Sequence, residues 1–148
     1  MQPPNPTILG SQMTTFFIPG HPRPQGSKRH VGNGRMIESS KHLKPWRDSV
    51  TLIAKQKFKH PLDGPILLEV EFVMPRTKAM RENPAPPMIQ APDTDKLIRA
   101  INDGLTGVAY ADDSQVTTIR AHKRRAKVGE NTGAKIKVTI DEHANSLV

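Results

Sequence analysis

Apolar residues recur along the chain with two periods, and the switch between them marks out its elements. Thr14, Thr15, Phe16, Phe17 and Ile18 are β-prone and stop at Pro19-Gly20, which predicts a first strand over 14–18. From Lys44 the period becomes helical: Pro45 suits a first turn, and Trp46, Val50, Ile53, Ala54 and Phe58 form one stripe, predicting a helix over 44–58. Pro61 and Gly64-Pro65 end it. Leu68, Val70, Phe72 and Met74 then alternate with Glu69, Glu71 and Val73 as in a half-buried strand. A second helix is predicted over 94–105, with Leu97, Ile98, Ile101 and Leu105 on its apolar stripe and Asp93, Thr94 and Asp95 as capping candidates. Residues 115–123 are β-prone, 129–133 have turn chemistry, and Ile136, Val138 and Ile140 alternate with Lys135, Lys137 and Thr139. The last third therefore reads as a hairpin.

Between these elements the period is lost. Residues 1–12 read as a disordered leader, with Met13 available as an alternative start, and 142–148 as a tail. Residues 20–34 form a basic loop carrying Arg23, Lys28, Arg29 and His30, with Arg35 at its end. The proline-rich stretch 75–92 is longer than an ordinary connection, as functional or disordered loops are. At 148 residues the chain suits one domain. The expected fold is α+β: a single domain over 13–141 with a mixed or antiparallel sheet and two main helices.

Charge narrows the function. Lys and Arg number 22 against 14 Asp and Glu, a formal charge of +8, which favours a polyanion and above all nucleic acid. No apolar run approaches the roughly 18 residues of a spanning helix, so a membrane is not expected as partner. The absence of cysteine excludes disulfides, thiol catalysis and thiolate zinc sites, and the 6 histidines show no close metal-ligand pairing. Any resident metal should take oxygen ligands. The polar, proline-rich start does not resemble a signal peptide, so the expected location is cytoplasmic.

Against this basic background two acidic clusters stand out, Asp93-Thr94-Asp95 and Asp112-Asp113. Carboxylates gathered where phosphates must approach are unfavourable unless a cation lies between them. A 12-residue helix carries the chain about 18 Å away, and the return segment can span about 23 Å, so Asp113 can come back beside Asp93 and Asp95. If residues 93–95 are extended, their two carboxylates lie on one side. Magnesium, a hard ion content with few carboxylates, suits such a set, and manganese is possible. Capping and a polar turn would equally explain each cluster taken singly.

The ordered run Pro92-Asp93-Thr94-Asp95-Lys96-Leu97-Ile98-Arg99-Ala100, then Asn102-Asp103-Gly104-Leu105-Thr106-Gly107, then Asp112-Asp113-Ser114-Gln115-Val116, resembles the signature of RusA-type Holliday-junction resolvases. That signature is D-x-D-N-x-x-K entering a helix, then D-x-L-x-G, then D-D-x-Q leading into a strand; Phe17-Ile18-Pro19-Gly20-His21-Pro22 is similar to the family's opening. The resemblance implies a homodimeric, magnesium-dependent endonuclease of bacteria or their phages that nicks opposing strands of a four-way junction, leaving 5′ phosphates. It places Asp93, Asp95 and Asp113 on the essential acids and Asp112 on a less critical neighbour, making all four candidate metal ligands. Two positions depart from the pattern: Lys96 replaces an asparagine, and Arg99 a lysine. Arg99, always protonated, can clamp a phosphate but hardly accept a proton.

Residues 120–127 carry five basic side chains and no acid. Arg120, Lys123, Arg124 and Arg125 are thus expected to contact DNA phosphates, joined by Lys96, Lys28 and Arg29. A solubilising charged face would explain the same run. The expected function is resolution of branched DNA in recombination or repair. A nuclease of broader flap or fork specificity, and a non-catalytic basic DNA-binding module, are the alternatives.

Overall fold

The computed structural model describes residues 13–26, 29–31, 35–37 and 41–147, the two short segments as backbone only. The expected leader and Lys28 lie outside the described residues. The strands are β1 (Met13–Pro19), β2 (Arg29–Val31), β3 (Arg35–Ile37), β4 (Ile66–Met74), β5 (Val116–Arg125) and β6 (Gly133–Ile140), with helices α1 (Leu43–Lys57) and α2 (Thr94–Leu105). Both helices sit where the hydrophobic period predicts. Strands β2 and β3 pair as a short antiparallel ribbon in the stretch expected to be only a basic loop.

The main sheet is mixed, in the order β1-β6-β4-β5, giving the expected α+β class. The hairpin expectation is corrected: β5 and β6 are not neighbours, because β6 lies between β1 and β4, antiparallel to both, while β5 runs parallel to β4 on its far side. Composition explains the order. Strand β6 offers buried Ala134, Ile136 and Val138 to the core, whereas β5 carries Arg120, Lys123, Arg124 and Arg125 and suits an edge, where charge discourages unwanted pairing. The segment from β4 through α2 to β5 is therefore a crossover joining parallel strands.

The core lies between the helices and one sheet face: Phe16, Ile18, Leu68, Val70, Phe72, Ile136 and Val138 meet Trp46, Val50 and Ala54 of α1 and Leu97, Ile101 and Leu105 of α2. Gly104 permits the helices to approach closely, since a Cβ there would stand 2.9 Å from Val50 Cγ1. Thr51 Oγ1 donates to the Gly104 carbonyl at 2.8 Å, fastening the same contact. The polar side of α2 is left facing solvent. No described helix is long and apolar enough to cross a membrane.

Candidate active site

The start of α2 differs from the extended arrangement expected for residues 93–95. Asp93 is the N-cap residue, with extended φ of −69° and ψ of 141°, Thr94 opens the helix, and Asp95 stands in the first turn. The Asp93 carboxylate caps no backbone N–H. It accepts instead from Lys96 Nζ at 2.9 Å. That hydrogen bond, then the charge of Lys96, holds the Asp93 carboxyl below its ordinary range, and the ammonium is raised in return. Asp95 and Arg99 are exposed one turn apart, with no hydrogen bond or ion pair to another described residue. The helix N-terminus favours the negative charge of Asp95.

Two anchors fix the surroundings of this turn. On one side Lys123 of β5 donates through Nζ to the carbonyls of Gln90 at 2.5 Å and Pro92 at 2.9 Å, pinning the segment that leads into Asp93. Arg76 braces the same loop, donating to the carbonyls of Ala126 at 2.9 Å and Arg81 at 3.0 Å, and to that of Asn83. Between this loop and β5 runs a groove of about 920 Å³ whose lining includes Thr94, Arg76, Lys123, Arg125 and Lys127.

On the other side Gln25 ties its loop to both helices. Its backbone N–H donates to the Lys96 carbonyl at 3.0 Å, its Nε2 donates to Asp103 Oδ2, and its Oε1 accepts from Arg47 Nη1 at 2.9 Å. The next residue, Gly26, has φ of +89° and would place a Cβ only 2.5 Å from Arg99 Nη1. The guanidinium therefore rests against bare backbone. Sequence reading missed both residues, because an isolated glutamine and glycine in a proline-rich loop carry no periodic or motif signal.

Asp112 and Asp113 begin a 3-10 turn, Asp113–Gln115, that is closed by a capping box between Asp112 and Gln115. Gln115 Oε1 accepts from the N–H groups of Ala111 at 2.9 Å and Asp112 at 3.1 Å, while its Nε2 donates to the carbonyls of Leu62 and Gly64, both at 3.0 Å. Ser114 Oγ donates to Asp112 Oδ2 at 2.7 Å and is the main cause of that carboxyl's lowered pKa. Asp112 thus has a structural occupation of its own. Tyr110 is fully buried and donates to Asn102 Oδ1 at 2.5 Å, which ties the turn to the second half of α2. Burial, and then the charges of Asp113 and Asp103, push the Tyr110 hydroxyl pKa up.

The structure thus places Asp93, Asp95, Lys96 and Arg99 in the first turns of α2, and Asp113 in the 3-10 turn that follows Tyr110. Among the described residues no three His, Asp or Glu side chains are gathered closely enough to hold an ion. The donor chemistry nevertheless suits a hard cation, being carboxylate oxygen with no cysteine in the chain.

The basic run of β5 is divided between two sheet faces. Arg124 forms a two-pronged pair with Glu130, Nη1 to Oε1 at 2.7 Å and Nη2 to Oε2 at 2.8 Å, and reaches Glu71 at 3.3 Å. The Arg124 hydrogen bond is the first cause of a Glu130 pKa lowered to about 2. Arg125 donates to the Pro75 carbonyl at 2.9 Å, and Arg120, largely exposed, lies 3.5 Å from Glu69. The backbone of Arg29 belongs to β2.

The geometry meets an independent comparison: the model of the family described as Endodeoxyribonuclease RusA matches residues 19–141. The chain belongs to the RusA endodeoxyribonuclease family. The RusA match takes in both helices and all strands but most of β1, together with both acidic clusters. It bears out the resemblance carried by the Asp93 and Asp113 motifs. A similar protein is the uncharacterized protein YqaN of Bacillus subtilis (strain 168), 28% identical over 120 residues, which cover 73% of this chain and 84% of that one.

Proposed function

We propose that this RusA-family protein is a magnesium-dependent, structure-selective endonuclease that resolves Holliday junctions by paired, symmetric nicks, working as a homodimer in the cytoplasm of a bacterial or phage-infected cell. The observation that carries this reading is the exposed acid and base stripe of α2, Asp95 and Arg99, set beside Asp93 and Lys96 in a chain of this family. Exposed carboxylates in a protein of charge +8 have little value for DNA binding alone.

Asp93, Asp95 and Asp113 are the residues that would hold magnesium, or manganese in its place. When bound, the ion would supply Lewis acidity toward the scissile phosphate and the attacking water. The chain's own residues do the positioning. Arg99, seated against Gly26, presents a permanently charged fork suited to two phosphate oxygens. Lys123 fixes the approach to Asp93 through the Gln90 and Pro92 carbonyls. The groove beside β5 offers Lys123, Arg125 and Lys127 to one DNA strand, and Arg120, Lys28 and Arg29 are further phosphate contacts. Arg124 stands behind these, since two carboxylates already hold it.

The test is an incubation of the purified chain with labelled four-way junction, replication fork and linear duplex, with and without magnesium. Symmetric nicks with 5′ phosphates in the junction alone are the expected result. Equal cutting of forks would make it a broader branched-DNA nuclease, and binding without cutting on any substrate would make it a non-catalytic module.

A further inference from the structure

The groove beside β5 has two chemically different sides. Its loop side is lined by Pro84, Pro86, Pro87 and Met88, and its strand side by Lys123, Arg125 and Lys127. The exposed Glu82 is the one acid among the described lining residues. The apolar side is fixed beforehand. Three prolines within residues 84–87 restrict the backbone, Arg76 fastens the start of the loop through the Arg81 and Asn83 carbonyls, and Lys123 fastens its end through those of Gln90 and Pro92. On the cationic side Lys127 is exposed and has no ion pair among the described residues, and Arg125 Nε is buried without a hydrogen-bond partner. Both can still serve an anion.

Paired DNA matches this lining poorly. A duplex keeps its base faces stacked inside and turns phosphate outward, so it has nothing to set against prolines and methionine. An unpaired strand carries both parts, an apolar face on every base and a charge at every linkage. We propose that the groove holds an unpaired DNA strand, its bases against the 84–88 loop and its phosphates toward Arg125 and Lys127; the choice of DNA rests on the endonuclease reading above. Thr94 lines the same groove, so the strand runs beside Asp93 and Asp95. A four-way junction supplies such a strand when pairs at its branch point open, and the groove rewards that opening. No aromatic side chain is among the described lining residues, so the bases are held by burial against Met88, the prolines and Val128, and any sequence is accepted.

The test is fluorescence anisotropy in the presence of chelator, where no cleavage occurs. A chain that never cuts DNA could pass it, and failure would leave junction resolution standing. Labelled oligo-dT is compared with an abasic strand of the same length and charge. The abasic strand should bind wild type at least about fivefold more weakly, because base burial is lost. Pro86→Ser/Val128→Ser, both at exposed positions, should abolish most of that difference and leave the affinity for a fully paired duplex unchanged. Lys127→Ala should reduce the log–log salt slope of oligo-dT binding by about 0.7, the value of one phosphate contact on a single strand. Equal binding of oligo-dT and the abasic strand by wild type, a comparison that needs no variant to fold, would overturn the proposal. So would a base-dependent difference that survives the serine variant, a serine variant that weakens duplex and single strand alike, or an unchanged slope in Lys127→Ala. Oligo-rU bound more tightly than oligo-dT would make the groove an RNA site and overturn the assignment to DNA.

Discussion

Lys96 Nζ stands 2.9 Å from Asp93 Oδ2, so the residue that departs from the family's asparagine is bonded to one of the acids proposed to hold the metal. An ammonium there supplies part of the positive charge that a divalent ion would bring, and the ion must displace it. Lys96→Asn is therefore expected to lower the magnesium concentration for half-maximal cleavage by roughly three- to tenfold, the size of one solvated charge contact. A magnesium titration of junction cleavage measures it; an unchanged midpoint would show that Lys96 does not compete.

Arg99 and Gly26 should behave as one unit. A Cβ at residue 26 would displace the guanidinium, whose Nη1 would be 2.5 Å away. Gly26→Ala is expected to reduce kcat by about tenfold or more, in line with a lost charge-assisted contact to phosphate. The diagnostic is the double variant Gly26→Ala/Arg99→Ala, which should be no slower than Arg99→Ala alone. Additive losses would assign Gly26 a role separate from Arg99.

The Arg124–Glu130 pair gives a pH-dependent stability with a defined sign. Glu130 has its carboxyl lowered from 4.5 to about 2 in the folded chain, so its contribution is complete above the unfolded value of 4.5 and is lost as pH falls through about 2. With both side chains less than a quarter exposed, Glu130→Gln should cost about 1–2 kcal/mol at neutral pH. Thermal melts of the two proteins should differ at pH 7 and converge toward pH 2. A gap that persists at pH 2 would place the effect in packing.

Tyr110→Phe removes the hydroxyl that reaches Asn102 Oδ1 and leaves the ring in its buried site. The expected cost is about 1 kcal/mol of stability. Because this bond ties the Asp113 turn to α2, cleavage should fall more than the melting temperature suggests. Activity that tracks stability alone would confine Tyr110 to the core.

The helices were legible because their information is local. The stripe of Leu97, Ile98, Ile101 and Leu105 places α2 over its observed span, and the motif spacing marks Asp93, Asp95 and Asp113 as candidates. Strand order was not legible in the same way. Gly129 and Gly133 have turn chemistry whether the chain folds back beside β5 or crosses to the far side of β4, and the choice rests on which strand buries more apolar surface. Contacts between distant residues were equally hidden. Gln25 meets Asp103 across 78 positions and Arg124 meets Glu71 across 53, so a basic run that reads as free phosphate contacts is partly engaged within the sheet.

The central claim is that the acids act in chemistry and not only in folding. It is tested most directly by comparing wild type, Asp95→Asn and Asp113→Asn for junction binding and for magnesium-dependent cleavage in the same preparations. The expected result is cleavage reduced by at least about a hundredfold in both variants, with junction affinity retained or increased because a carboxylate facing phosphate has been removed. Cleavage by either variant at the wild-type rate would contradict the account.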